Sequence, residues 1–289
     1  MRKMRNDFFV GRQIKFQAFG VKIGIEAEKI LHLEKIYRLL EKTFPNGFEK
    51  VEQQEIEYRF IIKSNKTEKT EKTEKGERFE LFRNDEKVIE DAGGEFFFQM
   101  VESEIRITVA EFAVARVFLH AGVVAWKNQA IVIPAQSYSG KSTLVAELVK
   151  KGAVYYSDEY AVLDAAGNVQ PFPKWLSLRG IIDPDTQLEC SVESIGGIAG
   201  TKTIPVGMVL IAQYKREKKI PKRWNPRRLS SGQAMMEILP HAIPIRNKPK
   251  FVLKVLNNLT SRAIIVKTVR GEAKDFANTL LNYFTIQTD

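Results

Sequence analysis

The residues best suited to chemistry lie in one short run, Ala135-Gln136-Ser137-Tyr138-Ser139-Gly140-Lys141-Ser142-Thr143. Gly-Lys-Ser is the core of a phosphate-binding loop, whose usual form is Gly-x-x-x-x-Gly-Lys-Ser/Thr. Here Ala135 stands at the first glycine. An apolar strand ending at Ile133 feeds the run, and a helix opens at Lys141. Backbone N–H groups at a helix start, helped by the helix dipole, favour bound phosphate. In that chemistry Lys141 reaches the β- and γ-phosphates and Ser142 holds a metal ion. ATP and Mg2+ are the expected ligands, and residues 135–143 the candidate nucleotide-binding residues. Ala135 removes one permissive backbone position, which a small residue tolerates unless φ is positive. Gly140, next to the phosphate, is retained.

Two carboxylates come next, in Tyr156-Ser157-Asp158-Glu159-Tyr160. They close an apolar strand soon after the loop helix. An acid placed there binds Mg2+ or accepts a proton from an attacking hydroxyl. The plain alternative is a pair of surface acids capping a turn. Because strands of a parallel pair point their ends at one edge, the position favours function. His120, in Phe118-Leu119-His120-Ala121-Gly122, sits between a helix and a strand. Read alone, a single histidine there is structural.

The surrounding elements must position these groups. Residues 123–134 read as two strands with a tight turn, and 143–152 as an amphipathic helix closed by Lys-Lys-Gly. Residues 153–173 read as strand, turn, strand. The run therefore sits in strand–loop–helix–strand context. Upstream, 16–27 reads as one strand, 30–45 as a helix with Ile30, Leu33, Ile36, Tyr37, Leu40 and Phe44 at helical spacing, and 55–63 and 78–91 as strands. Between them a Lys-Thr-Glu repeat (65–77) cannot bury a core and reads as a solvated hairpin loop. A helix is expected over much of 96–122, leading into a second domain. Residues 229–242 read as a short helix and 272–285 as a closing one. The organisation expected is a small α+β domain (1–98) followed by an α/β domain with a mixed sheet, flanking helices and the phosphate loop (99–289).

LHAGVV, AQSYSGKST and YSDEY, in that order, resemble the catalytic domain of HPr kinase/phosphorylase, which groups with phosphoenolpyruvate carboxykinase-like folds. LSLRGIIDP (176–184) looks like a shortened form of the family's later signature. The resemblance covers roughly residues 115–255. It departs from the pattern at Ala135, at Glu159 in place of a second aspartate, and at Ser177 in place of a glutamate. It implies ATP-dependent phosphoryl transfer to a serine of a protein or peptide, with the reverse phosphorylase reaction known in the family. It further implies Asp158 as the proton acceptor, His120 orienting or charging that acid, and Arg179 as a contact to the transferred phosphoryl group. Ser142 and Glu159 would be the Mg2+ ligands. Homo-oligomers are frequent in the family.

Composition narrows the rest. The chain has 289 residues, 44% hydrophobic and 28% charged, enough for a sizeable core. One cysteine, Cys190, excludes an internal disulfide and a cysteine-cluster zinc site, which fits a reducing, cytoplasmic setting. The N-terminal residues lack an apolar secretory core, and the most apolar stretch (109–126) carries Glu111, Arg116 and His120, so no membrane partner is expected. The net charge is +10, with eight Lys/Arg and one acid in residues 215–228. That segment reads either as a clamp on an acidic substrate or as an exposed loop. Two further functional classes stand beside the kinase. One is a nucleotide-binding regulator with weak hydrolysis and no transfer. The other, ranked third because Trp224 is the segment's lone aromatic, is a nucleic-acid-binding protein.

Overall fold

The computed structural model describes residues 11–44, 48–51, 55–67, 76–136, 139–179, 187–217 and 224–288. The chain divides into two compact units, Met1–Val114 and Ala115–Asp289. It is a mixed α/β protein.

In the first unit β1 (Gln13–Ala18) and β2 (Val21–Ala27) form a hairpin. The residue pattern by itself suggests one strand here. Phe19 and Gly20 at positive φ make the turn that divides it. α1 (Ile30–Thr43) buries Leu33, Ile36, Tyr37 and Leu40, as the spacing predicts, while Ile30 at its first position is exposed and buried Phe44 follows as the C-cap. β3 (Glu49–Lys50), β4 (Tyr58–Thr67), β5 (Gly76–Arg83) and β6 (Glu86–Gly93) complete a sheet ordered β3-β1-β2-β4-β5-β6. The single strand expected over 78–91 is a hairpin, because Asn84 takes the left-handed conformation that its short polar side chain tolerates. Residues 68–75, most of the Lys-Thr-Glu repeat, lie outside the described residues.

α2 (Gly94–Phe112) buries Phe97, Phe98, Val101 and Ile105 and packs with the first unit. The structural break thus falls at 114/115, where the sequence reading placed it at 98/99. The helix expected over much of 96–122 stops at Phe112. The run VFLHAGVVAW beyond it is the strand β7 (Val117–Trp126), buried along nearly its whole length. β-branched and aromatic residues on both faces suit a central strand, and apolar periodicity alone does not separate such a run from a buried helix.

The second unit continues with β8 (Gln129–Pro134), joined to β7 through Lys127–Asn128, both at positive φ as a tight hairpin turn requires. Then come α3 (Lys141–Lys150), β9 (Val154–Ser157), β10 (Tyr160–Leu163), β11 (Val169–Gln170), β12 (Leu176–Arg179), β13 (Gln187–Cys190), β14 (Val206–Tyr214), β15 (Arg227–Arg228), α4 (Ser231–Ile238), α5 (Pro249–Thr260), β16 (Ile264–Arg270) and α6 (Ala273–Thr288). The main sheet runs β11-β10-β7-β8-β14-β16-β15, with β9 also on β7. Helices cover both faces. One core holds Val124 and Ile131 with Leu144, Leu148, Phe276 and Leu280 of α3 and α6. The other holds Val123 and Val132 with Ala234, Val252 and Leu256 of α4 and α5. β8, β14 and β16 are mutually parallel, so their carboxyl ends share one edge, the place where open α/β sheets hold ligands. Among the described residues, no helix is long and apolar enough to cross a membrane.

Candidate functional site

Strand register assembles the site. β8 leaves the sheet at Pro134, and the N–H of Ala135 donates to the carbonyl of His120 at 3.4 Å. On the other side of β7, Ser157 pairs with Val123 and Tyr160 with His120. The register between those pairs is continuous, so Asp158 falls opposite Gly122, and Glu159 opposite Ala121, whose N–H donates to the Glu159 carbonyl at 3.1 Å. The acids follow the end of β9 at Ser157, as the sequence suggested, but the strand line continues beyond them. They occupy a two-residue break in a strand line that resumes at Tyr160. The Ser157 hydroxyl holds that break by accepting from the N–H groups of Glu159 and Tyr160. Side chains alternate across a strand. His120, Gly122 and Asp158 therefore share the sheet face on which Val124 meets α3.

α3 lies over that face. Gly140 is its N-cap, at φ 76° and ψ 22°, and Lys141 and Ser142 form its first turn. Lys141 is buried, its stem crossing Gly122: a Cβ at 122 would stand 3.1 Å from Lys141 Cγ and 2.6 Å from Val145 Cγ2. Glycine at 122 is what lets the helix come this close. Ala135 is half-buried, while Gln136 and Thr143 are exposed. Ser137 and Tyr138 lie outside the described residues. The Ser139 Oγ is buried and has no hydrogen-bond partner among the described residues, a costly state for a polar atom that nothing satisfies.

Asp158 is the electrostatic centre, with 3% of its surface exposed. Its Oδ1 meets the Tyr155 hydroxyl at 3.0 Å, its Oδ2 accepts from the Ser177 N–H at 3.1 Å, and the Ser142 hydroxyl stands close by. Burial pushes its carboxyl above the usual carboxylate range. The Ser177 N–H, the charge of Lys174 and the Ser142 hydroxyl oppose that shift, and neighbouring Glu159 adds to it. Tyr155 has one proton to give, and the Lys174 carbonyl at 2.7 Å also takes it. When that proton goes to Lys174, the tyrosine oxygen accepts from a protonated Asp158. The cluster thus accommodates both protonation states.

The fold brings together the segments that carry His120, Asp158, Glu159, Lys141 and Ser142, the residues expected at the site from the sequence. The backbone of Arg179 ends β12, the strand whose Ser177 N–H reaches Asp158; its side chain lies outside the described residues. The Tyr155 hydroxyl, Lys174 and Gly122 gain their roles only from cross-strand register. Two groups come from far downstream. Burial, and after it the charge of Lys141, lowers the pKa of half-buried His241, and adjacent Ala242 bridges to Leu119. Arg270, at the carboxyl end of β16, donates to the carbonyls of Ser139 and Gly140. Neither residue carries a local sequence signal that assigns it a role. Among the described residues no three His, Cys, Asp or Glu side chains cluster as a metal site.

No family model and no curated protein sequence matches this chain. Among solved structures it is similar to the Hpr(Ser) kinase/phosphatase from Coxiella burnetii, at 14% identity over 59% of this chain and 97% of that one, with a TM-score of 0.34. A superposition that loose does not define a shared fold, so a functional reading must rest on the residues of this chain.

Proposed function

We propose that the second unit is a kinase domain that transfers the terminal phosphoryl group of ATP to a hydroxyl, that of a serine in a protein or peptide. The observation that carries this reading is the nearness of Ser142, the hydroxyl of the Gly-Lys-Ser run, to buried Asp158, whose carboxyl it helps hold down against the effect of burial. It unites the phosphate-loop motif with an acid that has no reason to be buried for packing alone. The buried Ser139 Oγ, without a hydrogen-bond partner among the described residues, and the left-handed Gly140 at a helix start suit a bound anion. So does the location of the net positive charge, all of it within Ala115–Asp289.

In this reading the N–H groups of the loop and Lys141 hold the triphosphate. Ser142 and Glu159, with Asp158 beside them, would hold Mg2+, an ion that takes one or two carboxylates and completes its shell with phosphate oxygens and water. Bound there, the ion neutralises charge on the phosphates. The acceptor oxygen bonds to the γ-phosphorus as the bond to the β–γ bridging oxygen breaks, and the hydroxyl proton passes to Asp158. A carboxylate raised above its usual range is the stronger base. His120, on the same face, orients or charges that acid, and Arg179 steadies the transferred group. Exposed Lys215 and Arg216, leaving β14 at this edge, favour an acidic acceptor. Most of the chemistry is positioning and electrostatics.

A second reading, a nucleotide-binding regulator without transfer, draws on the near-complete burial of Asp158 and on the partners already at both its oxygens. The experiment that separates the two supplies γ-labelled ATP and Mg2+ to wild type, Lys141→Ala and Asp158→Asn together with a lysate of the source cells. A kinase moves label to a protein or peptide, loses transfer and binding in Lys141→Ala, and loses transfer alone in Asp158→Asn. A regulator binds ATP and labels nothing. A chain that binds no ATP defeats both.

A further inference from the structure

Arg270 is buried, 4% exposed, and its guanidinium faces backbone carbonyls. Nη2 donates to the carbonyl of Ser139 at 3.2 Å and to that of Gly140 at 2.9 Å, and Nη1 to that of Gly271 at 3.0 Å. Its own carbonyl accepts from Lys215 N–H at 2.9 Å, which ties it to the end of β14. The ring of Tyr214 stands 5.2 Å from its central carbon, and the Tyr214 hydroxyl donates to Glu272 at 2.6 Å. A cation taken out of water is costly to keep, and packing alone would be served by an apolar side chain.

Peptide geometry gives the arrangement a purpose. In a trans peptide unit the carbonyl and the N–H point in opposite directions. Capturing the Ser139 and Gly140 carbonyls from below therefore turns the N–H groups of Gly140 and Lys141 to the opposite side. Gly140 is left-handed and Lys141 opens a helix; successive residues of opposite hand make a concave nest of N–H donors that takes an anion. The same contact fixes the residue type at 140, since a Cβ there would lie 2.8 Å from Arg270 Nη2. The guanidinium also places a full positive charge directly behind the loop, adding to the field of the helix terminus.

We propose that Arg270 is the positioning residue of the anion loop: by holding the Ser139 and Gly140 carbonyls it sets the N–H donors of residues 140 and 141 toward a bound phosphate. The inference rests on reading the loop as a phosphate site, and it adds a strand-end arginine, distant in sequence, on which that site depends. Lysine does not reproduce the fork, because an ammonium lacks the fixed pair of donors.

The test is titration calorimetry with MgATP on full-length wild type, Arg270→Lys and Arg270→Ala, the last with and without added guanidinium chloride at millimolar concentration, alongside thermal melts. The expected result is an affinity weaker by about tenfold or more in both variants. Guanidinium should recover part of that loss in Arg270→Ala, and Arg270→Lys should melt within about 4 °C of wild type. Affinities within twofold of wild type in folded variants overturn the proposal while leaving the phosphate-site reading intact. Loss of cooperative melting in both variants also overturns it, because Arg270 then serves the fold and not the loop. Absence of binding by wild type overturns both readings together.

Discussion

The Ser142 hydroxyl, in the first turn of α3, stands beside the carboxylate of Asp158 and lowers its pKa against the effect of burial; Asp158 lies across the sheet face opposite Gly122. One residue comes from the loop that leaves β8 and the other from the break between β9 and β10. Their meeting depends on β7, which carries β8 on one side and β9 and β10 on the other. The consequences of that arrangement can be measured.

Asp158→Asn should separate activity from stability. Transfer should fall by about two to four orders of magnitude, the usual contribution of a positioned proton acceptor. The melting temperature at pH 8 should rise. Asp158 titrates above the usual carboxylate range in the fold. The folded chain therefore keeps this proton over a pH window in which the unfolded chain has lost it. The stability so gained is full at low pH and is lost as pH rises through the folded value. Asparagine removes the dependence, with its oxygen toward Ser177 N–H and its NH2 toward Tyr155. Thermal melts from pH 4 to pH 8 check this: the advantage of the variant should grow with pH.

Tyr155→Phe removes the hydroxyl that meets Asp158 and donates to the Lys174 carbonyl. The ring is fully buried, so the stranded carbonyl finds no water. A loss of about 1–3 kcal/mol is expected, read by chemical denaturation. Any remaining activity should have a shifted acidic limb in its pH profile, because a protonated Asp158 loses its acceptor.

Gly122→Ala places a methyl 2.6 Å from Val145 Cγ2 and 3.1 Å from Lys141 Cγ. The helix must move off the sheet and carry Lys141 with it. Destabilisation of about 1–3 kcal/mol is expected from the overpacking, together with weaker ATP binding by calorimetry. Equal stability and equal binding would mean that the close approach of α3 to β7 is not required.

Gly140→Ala asks a β-carbon to adopt φ 76° and to stand 2.8 Å from Arg270 Nη2. Strain of about 1–3 kcal/mol is expected for a non-glycine residue in that region, and relief comes only by displacing Arg270 from the loop. ATP affinity should drop while Gly196→Ala, also at positive φ but with nothing near its Cβ, leaves it unchanged. Calorimetry on the two variants makes the comparison.

Much of the second unit was legible in the sequence because its signals are local. Strand, helix and strand around Gly140-Lys141-Ser142 follow from apolar runs, a permissive glycine and a C-terminal Lys-Lys-Gly, and β8, α3 and β9 lie where expected. The helices ending the chain and beginning at Ser231 were legible for the same reason. Residues 117–122 were not, since a run apolar on every side suits a buried helix and a central strand equally, and only the pairing of β7 with β8, β9 and β10 decides between them. Sequence alone selected the Gly-Lys-Ser run and the Asp158–Glu159 pair, because a spacing of a few residues fixes local backbone geometry. That Asp158 is buried, that it meets Ser142, and that Tyr155, Lys174, Gly122 and Arg270 surround the loop were decided only by the tertiary structure. Those contacts span up to 131 residues of chain, a distance over which strand register and burial, not local propensity, determine which side chains meet.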